Sequence, residues 1–260
     1  VRALEKYGDF LYNDEEYEKS AKCFDQAIQI LKAKMEEESP SCQRCYVGRG
    51  RAEIALNSIQ AARNSLNPPM KYFQKYAEVY ASDYANCLLY HSELIALEGN
   101  LIKAEDQMTE AYNLKLKLHN QDDSALGDAL ICLAKLSLKK KDYEKAKEHA
   151  EKAVKIFEKV YGEFHFKVAD AMKQLAEANY ELGDYYVCID NFHQVLQILQ
   201  ISFGTANRKV VKLYIRLGQV EMVYNFLQKS KENFKMAYEI AQKTFGESDP
   251  LTLLAKSKAL

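Results

Sequence analysis

The sequence predicts an all-α protein, a right-handed α-solenoid of stacked antiparallel helix hairpins. Three observations predict it. A set of residue columns recurs every 42 residues, and apolar residues inside each repeat fall at helical spacing. Gly and Pro, at 10 and 4 of 260 residues, are too scarce for many short strands joined by tight turns.

The repeat is clearest in the middle of the chain. Gly183, Cys188, Phe192 and Val195 stand 42 residues after Lys141, Ala146, Ala150 and Ala153, which in turn follow Gly99, Ala104, Met108 and Ala111 by the same step. Another step forward gives Asn225, Ser230, Phe234 and Ala237. A second set of columns keeps the period, because Gly162, Gly204 and Gly246 are each 42 apart. At the front, Ser20, Phe24 and Ala27 stand two periods before Ala104, Met108 and Ala111. Six units account for nearly the whole chain, so residues 1–260 read as one solenoid domain.

Each element of the unit has a local cause. Val168, Ala169, Ala171, Met172, Leu175 and Ala176 are spaced by three and four, as one face of a first helix requires. That helix should close at Leu182-Gly183-Asp184, where Gly can take the left-handed conformation. A second helix should run from about Tyr185 to Ser202 and stop at Phe203-Gly204. Small residues at Ala104, Ala146 and Cys188 let the partner helix approach, and Met108, Phe192 and Phe234 fill the space one turn on. One hairpin cannot bury its apolar face alone, so neighbours must stack.

The second unit, about 41–82, is degenerate. Its columns hold Ala62, Leu66 and Pro69, and Pro68-Pro69 predicts a helix break near Asn64–Pro69 with a new helical stretch through about Tyr80. Along that stretch Tyr72, Tyr76, Tyr80 and Tyr84 recur every four residues. They read as a packing stripe against the next hairpin, or as an aromatic contact patch for a partner.

Composition excludes several function classes. The 36 basic and 37 acidic residues leave a net charge of −1, which gives no electrostatic reason to expect nucleic acid as partner. No apolar run approaches the roughly 18 residues of a membrane span, so membrane insertion is not expected. The chain begins at Val1 rather than Met and reads as a fragment of a longer protein. Six Cys in a chain that can bury its own core read as reduced thiols in a cytoplasmic setting.

Catalytic chemistry is hard to find. Cys42 and Cys45 form one C-x-x-C with no second pair, so neither a zinc site nor a redox motif is supported. His91, His119, His149, His165 and His193 form no H-E-x-x-H, and His165 reads as a helix-start residue. There is no Gly-rich phosphate loop and no G-x-S-x-G elbow. Lys139-Lys140-Lys141 reads as a solvated helix terminus, with a docking patch as the alternative. No metal, no cofactor, no small-molecule substrate and no enzymatic activity are expected.

The small-x-x-x-aromatic-x-x-Ala pattern after a Gly-Tyr-like turn resembles the tetratricopeptide repeat. The 42-residue period and its links, Tyr161-Gly162-Glu163-Phe164-His165 and Phe245-Gly246-Glu247-Ser248-Asp249-Pro250, are similar to the longer variety in kinesin light chains. The resemblance implies a non-enzymatic scaffold or adaptor that binds a protein or peptide in a concave groove lined by the first helices, with a cytoskeletal, motor or ciliary setting possible. The alternative is a regulatory or substrate-recruiting domain of a multidomain enzyme. In family members that clamp acidic chaperone tails, a Lys and an Asn stand where this chain has Glu5 and Asp9. The Asn pairs by which kinesin light chains hold a peptide backbone correspond to Leu89/Tyr90, Ile131/Cys132, Lys173/Gln174 and Ile215/Arg216, so Gln174 is the one remnant of that amide ladder. Candidate groove residues are therefore Tyr90, Glu93, Lys135, Lys173, Gln174, Glu177 and Arg216.

Overall fold

A computed structural model of the protein describes residues 1–118 and 123–259. Among the described residues there are thirteen α-helices and no strand. They fall into two compact units, Val1–Gln121 and Asp122–Leu260. The first holds α1 (Arg2–Asn13), α2 (Tyr17–Ala33), α3 (Pro40–Ala55), α4 (Ile59–Lys75), α5 (Ala81–Leu97) and α6 (Leu101–Leu118). The second holds α7 (Ser124–Lys139), α8 (Tyr143–Tyr161), α9 (Phe166–Leu182), α10 (Tyr185–Phe203), α11 (Arg208–Val223), α12 (Leu227–Phe245) and α13 (Pro250–Ala259). Within each unit every helix packs on the next in the chain, and α1, α3 and α5, like α7 and α9, also touch in succession. This is the stacked-hairpin solenoid that the 42-residue period demands.

The turns explain the period. Between the two helices of each hairpin one residue takes a positive φ, and these are Glu15, Asn57, Gly99, Lys141, Gly183 and Asn225, each one repeat from the last. At Gly183 (φ +86°) the left-handed residue closes α9 while its amide and the next return to the last turn, as expected. First helices are started by a second periodic column. Ser39, Asp123, His165 and Asn207 each accept a hydrogen bond from an amide in the first turn of α3, α7, α9 and α11, and Asp249 does so for α13. Ala81 occupies this column before the third hairpin and cannot cap.

Packing inside a hairpin is a small-to-large fit. A Cβ added at Gly8 would lie 2.8 Å from the Phe24 ring, and one at Gly218 would lie 2.7 Å from Phe234. Ser20 and Ser230 donate to the carbonyls of Gly8 and Gly218 at 2.8 and 2.7 Å, fixing the same close approach five repeats apart. In the fourth hairpin Ala150 stands in the Phe column, and Phe157 fills the space against Gly127 instead. Each buried ring contributes about 1.5–3 kcal/mol.

The expected break at Asn64–Pro69 is not there. Helix α4 runs from Ile59 to Lys75 with Pro68 and Pro69 inside it. The two rings withhold amides from the carbonyls of Asn64 and Ser65, which costs about 3 kcal/mol or more per proline in an ordinary helix. What holds the helix is its buried face, on which Ala62, Leu66 and Phe73 are fully excluded from solvent and Pro69 is buried beside them. The chain breaks later, between the ends of α4 and α5 at Tyr76 and Tyr80.

Candidate protein-binding surface

The first helices of successive hairpins are tied together by side chains 39 residues apart, one repeat less one helical turn. In the first unit the Arg44 guanidinium donates to Asp83 at 2.9 Å, and Arg51 donates to the Tyr90 hydroxyl at 3.4 Å. In the second unit Lys167 donates to both Asp128 oxygens at 2.8 and 2.7 Å. Arg216 meets Glu177 through two nitrogens, with Nε to Oε1 at 2.9 Å. A two-pronged contact of this kind is the stronger form of Arg–carboxylate pairing.

The seven groove candidates divide between the units. Tyr90 and Glu93 are on α5 of the first, and Lys135, Lys173, Gln174, Glu177 and Arg216 are on α7, α9 and α11 of the second. Lys135 and Lys173 are exposed, while Glu93 and Gln174 are half-buried. Tyr90 is engaged from both sides. Its ring packs on the Ala62–Leu66–Leu94 cluster, and the Arg51 guanidinium lies 5.6 Å from its centre. The side chains of Glu177 and Arg216 are only 24% and 27% exposed. Arg216 also lies over the Tyr180 ring at 4.6 Å. These two residues form one inter-helix contact.

Glu5 and Asp9 are likewise occupied. Glu5 accepts from the Cys45 thiol at 3.2 Å. Asp9 accepts from Arg51 at 2.6 Å, and the same guanidinium stands 3.9 Å over Tyr12. Arg51 thus joins three side chains in the first unit, and sequence reasoning did not single it out. The signal that could have found it is a cation paired with an acceptor one period, or one period less a turn, away.

The four periodic tyrosines separate. Tyr72, Tyr76 and Tyr80 gather at the α4–α5 link, with Tyr72 at 4.9 Å from Tyr76 and 6.2 Å from Tyr80. Phe73 backs them, 5.4 Å from Tyr72 and 6.1 Å from Tyr80. Tyr84 is buried on α5, its hydroxyl donates to Glu110 at 3.2 Å, and burial pushes its pKa up to about 12.

All six cysteines are buried free thiols. Burial pushes Cys87 and Cys188 up to about 12, which makes them poor nucleophiles and poor metal ligands. Among the described residues no group of three or more His, Cys, Asp or Glu could hold a metal ion. His165 caps α9 through its ring nitrogen, 3.3 Å from the Lys167 amide, and stacks on Tyr161 at 4.3 Å. His119 lies outside the described residues. A surface hollow of about 500 Å³ opens in the second unit, lined by Leu138, Lys139, Lys141, Tyr143, Glu177 and Glu181. No helix among the described residues is long and apolar enough to cross a membrane.

Residues 125–185, spanning α7, α8 and α9, match the family model of the tetratricopeptide repeat. The fold is the tetratricopeptide-repeat fold. It is similar to BtubC (BKLC) from P. vanneervenii at a TM-score of 0.69 and 15% identity, over 88% of this chain and 92% of that one. A Podosopora anserina kinesin light chain protein with nearly identical TPR-like repeats aligns at a TM-score of 0.61 and 15% identity, over 77% of this chain and 95% of that one. A signal transduction ATPase from Pyrococcus horikoshii with a tetratricopeptide repeat sensor aligns at 0.65 and 17% identity, over 99% of this chain and 37% of that one. No curated protein matches the sequence. At these identities the likeness is one of fold, and a tetratricopeptide-repeat fold is typically a non-catalytic interaction module.

Proposed function

We propose that this tetratricopeptide-repeat chain is a non-enzymatic interaction scaffold, which binds an extended peptide or a helix of a protein partner along the first helices of its hairpins. The observation that carries the reading is the side-by-side register of α7 and α9 in the second unit. It puts exposed Lys135 and Lys173 on neighbouring first helices, with half-buried Gln174 beside Lys173. Tyr90 and Glu93 on α5 would extend the contact in the first unit, and Glu177 with Arg216 would supply a rigid, pre-formed edge. Likeness to kinesin-light-chain repeats favours a cytoplasmic adaptor of a cytoskeletal, motor or ciliary assembly.

Affinity capture from the source cell followed by titration calorimetry tests this. The expected result is that Lys135→Glu with Lys173→Glu weakens the captured partner at least tenfold, about 1.4 kcal/mol, with an unchanged melting curve. Exposed charges contribute about 1 kcal/mol or less each, so two reversals reach that loss. Unchanged affinity removes the groove as the site. A second reading, a regulatory domain of a multidomain enzyme, is favoured by the ATPase, in which a repeat array of this fold is a sensor. Co-purification of a catalytic activity with the full-length protein decides between the two.

A further inference from the structure

Besides the small-to-large fit, a second pair of columns crosses between the two helices of a hairpin. In the second hairpin Glu53 of α3 accepts from the Ser65 hydroxyl of α4 at 2.5 Å. In the sixth Glu221 of α11 accepts from the Asn233 amide of α12 at 2.6 Å. Glu221 and Asn233 each stand four periods of 42 after Glu53 and Ser65, so the two bonds join the same columns. The fifth hairpin holds Asn179 on α9 and Asn191 on α10 in these columns, 42 residues before Glu221 and Asn233. Both are buried, at 1% and 9% exposure. Here no direct bond forms. Asn179 Oδ1, Asn179 Nδ2 and Asn191 Nδ2 are buried and find no hydrogen-bond partner among the described residues.

Side-chain length gives the reason. Asn191 repeats Asn233 on the second helix, whereas Asn179 is one methylene shorter than Glu221. The contact that Glu221 closes at 2.6 Å is therefore longer at Asn179 by about 1.5 Å, one carbon–carbon bond. Such a span is too long for a direct hydrogen bond and suits a water between two polar groups. The neighbours along the two helices, Ala176, Ala178, Cys188 and Phe192, are buried and bring no side-chain oxygen or nitrogen. Backbone groups are already spent on the helix and its end, where the Asn179 carbonyl accepts from the Asp184 amide at 2.9 Å. Buried amides left without partners are costly, so a partner must come from outside the chain.

The chemistry of these groups selects the ligand. Two neutral amides bring no charge to hold an ion of either sign, and among the described residues no cluster could hold a metal. They present an acceptor on one helix and a donor on the other. A ligand that both donates and accepts, and is small enough for the inside of a hairpin, is water.

We infer that the α9–α10 interface is a binding site for a structural water, which accepts from Asn191 Nδ2 and donates to Asn179 Oδ1. The remaining donor, Asn179 Nδ2, takes a second water. The fifth hairpin is thereby joined through solvent where the second and sixth are joined directly. The site is internal and independent of the groove of the first helices.

The test is a crystal structure at a resolution that shows ordered solvent, with two reciprocal variants. In the native chain a solvent peak is expected within hydrogen-bond distance of both Asn179 Oδ1 and Asn191 Nδ2. Asn179→Gln adds one methylene without adding charge, and should expel the bridging water and bond Asn191 directly. Glu221→Asn gives the sixth hairpin the shorter pair, and should admit a water between position 221 and Asn233. Magnetic relaxation dispersion of the water oxygen counts long-lived internal waters in solution, and that count should fall in Asn179→Gln. A native crystal in which Asn179 and Asn191 bond each other, or in which no solvent peak bridges them, overturns the inference. So does an unchanged dispersion amplitude in an Asn179→Gln chain that melts like the native one. Should Asn179→Gln fail to fold, the native crystal and Glu221→Asn decide the matter.

Discussion

At Gly218 there is no space for one methyl group, because the Phe234 ring would stand 2.7 Å from it and the Ser230 hydroxyl bond holds the two helices at that distance. Gly218→Ala should therefore lower stability by about 1–3 kcal/mol in urea unfolding, the usual cost of forcing a packed core apart. A change within error would mean that α11 and α12 separate freely. The cysteines give a second expectation at this scale. Burial raises Cys87 and Cys188 from an ordinary 9.0 to about 12, so the unfolded chain loses these protons first as pH rises. Folded-state stability from these thiols is fully present below pH 9 and is lost between pH 9 and 12. Denaturation midpoints across that window should fall, and Cys87→Ala with Cys188→Ala should flatten the fall. Thiol reagents at neutral pH should find no rapidly reacting cysteine before unfolding.

Helix α4 tests how far burial overrides local preference. Pro68 is exposed and contributes no packing, while it denies Asn64 a hydrogen bond. Pro68→Ala restores the amide, worth about 3 kcal/mol in helix propensity, and gives back about 1 kcal/mol to the unfolded chain. The expected net gain is about 2 kcal/mol, seen as a higher melting temperature. A loss would place the true break at Asn64–Pro69, where the sequence predicts it. The prediction of a break failed for a physical reason. Proline cost is local and visible in the sequence, whereas the burial of Leu66 and Phe73 that offsets it depends on how the flanking α3 and α5 pack on α4. The helix ends at Gly183 and His165 were legible because their causes are local.

For the whole molecule, stability should be a sum of hairpins and their nearest-neighbour contacts. In Gly218→Ala, hydrogen exchange should rise in α11, α12 and the adjoining α10 and α13, and remain unchanged in α5 and α6. A uniform rise would show one all-or-none unit. The periodicity that made the fold readable does less to single out a site. Polar residues on first helices look like ligands when each repeat is read alone. Glu177 and Arg216 look different once residues 39 apart are compared, because the acceptor and the donor sit on consecutive first helices and meet. Lys173 and Lys135 are exposed, and nothing in their spacing distinguishes a contact from a solvated face.

The pair columns have a further consequence. Asp128 stands two periods after Arg44, and Lys167 two periods after Asp83, so the same contact recurs with its signs exchanged. Splicing the α3–α4 hairpin directly before α9–α10 would set Arg44 against Lys167. Splicing α7–α8 before α5–α6 would set Asp128 against Asp83. Either chimera meets like charges where the natural order meets opposite ones. Hairpins of one repeat are thereby made less interchangeable, and a chain collapsing out of register finds repulsion at the seam. At these two seams charge polarity adds a preference of about 1 kcal/mol or less to the order that connectivity sets.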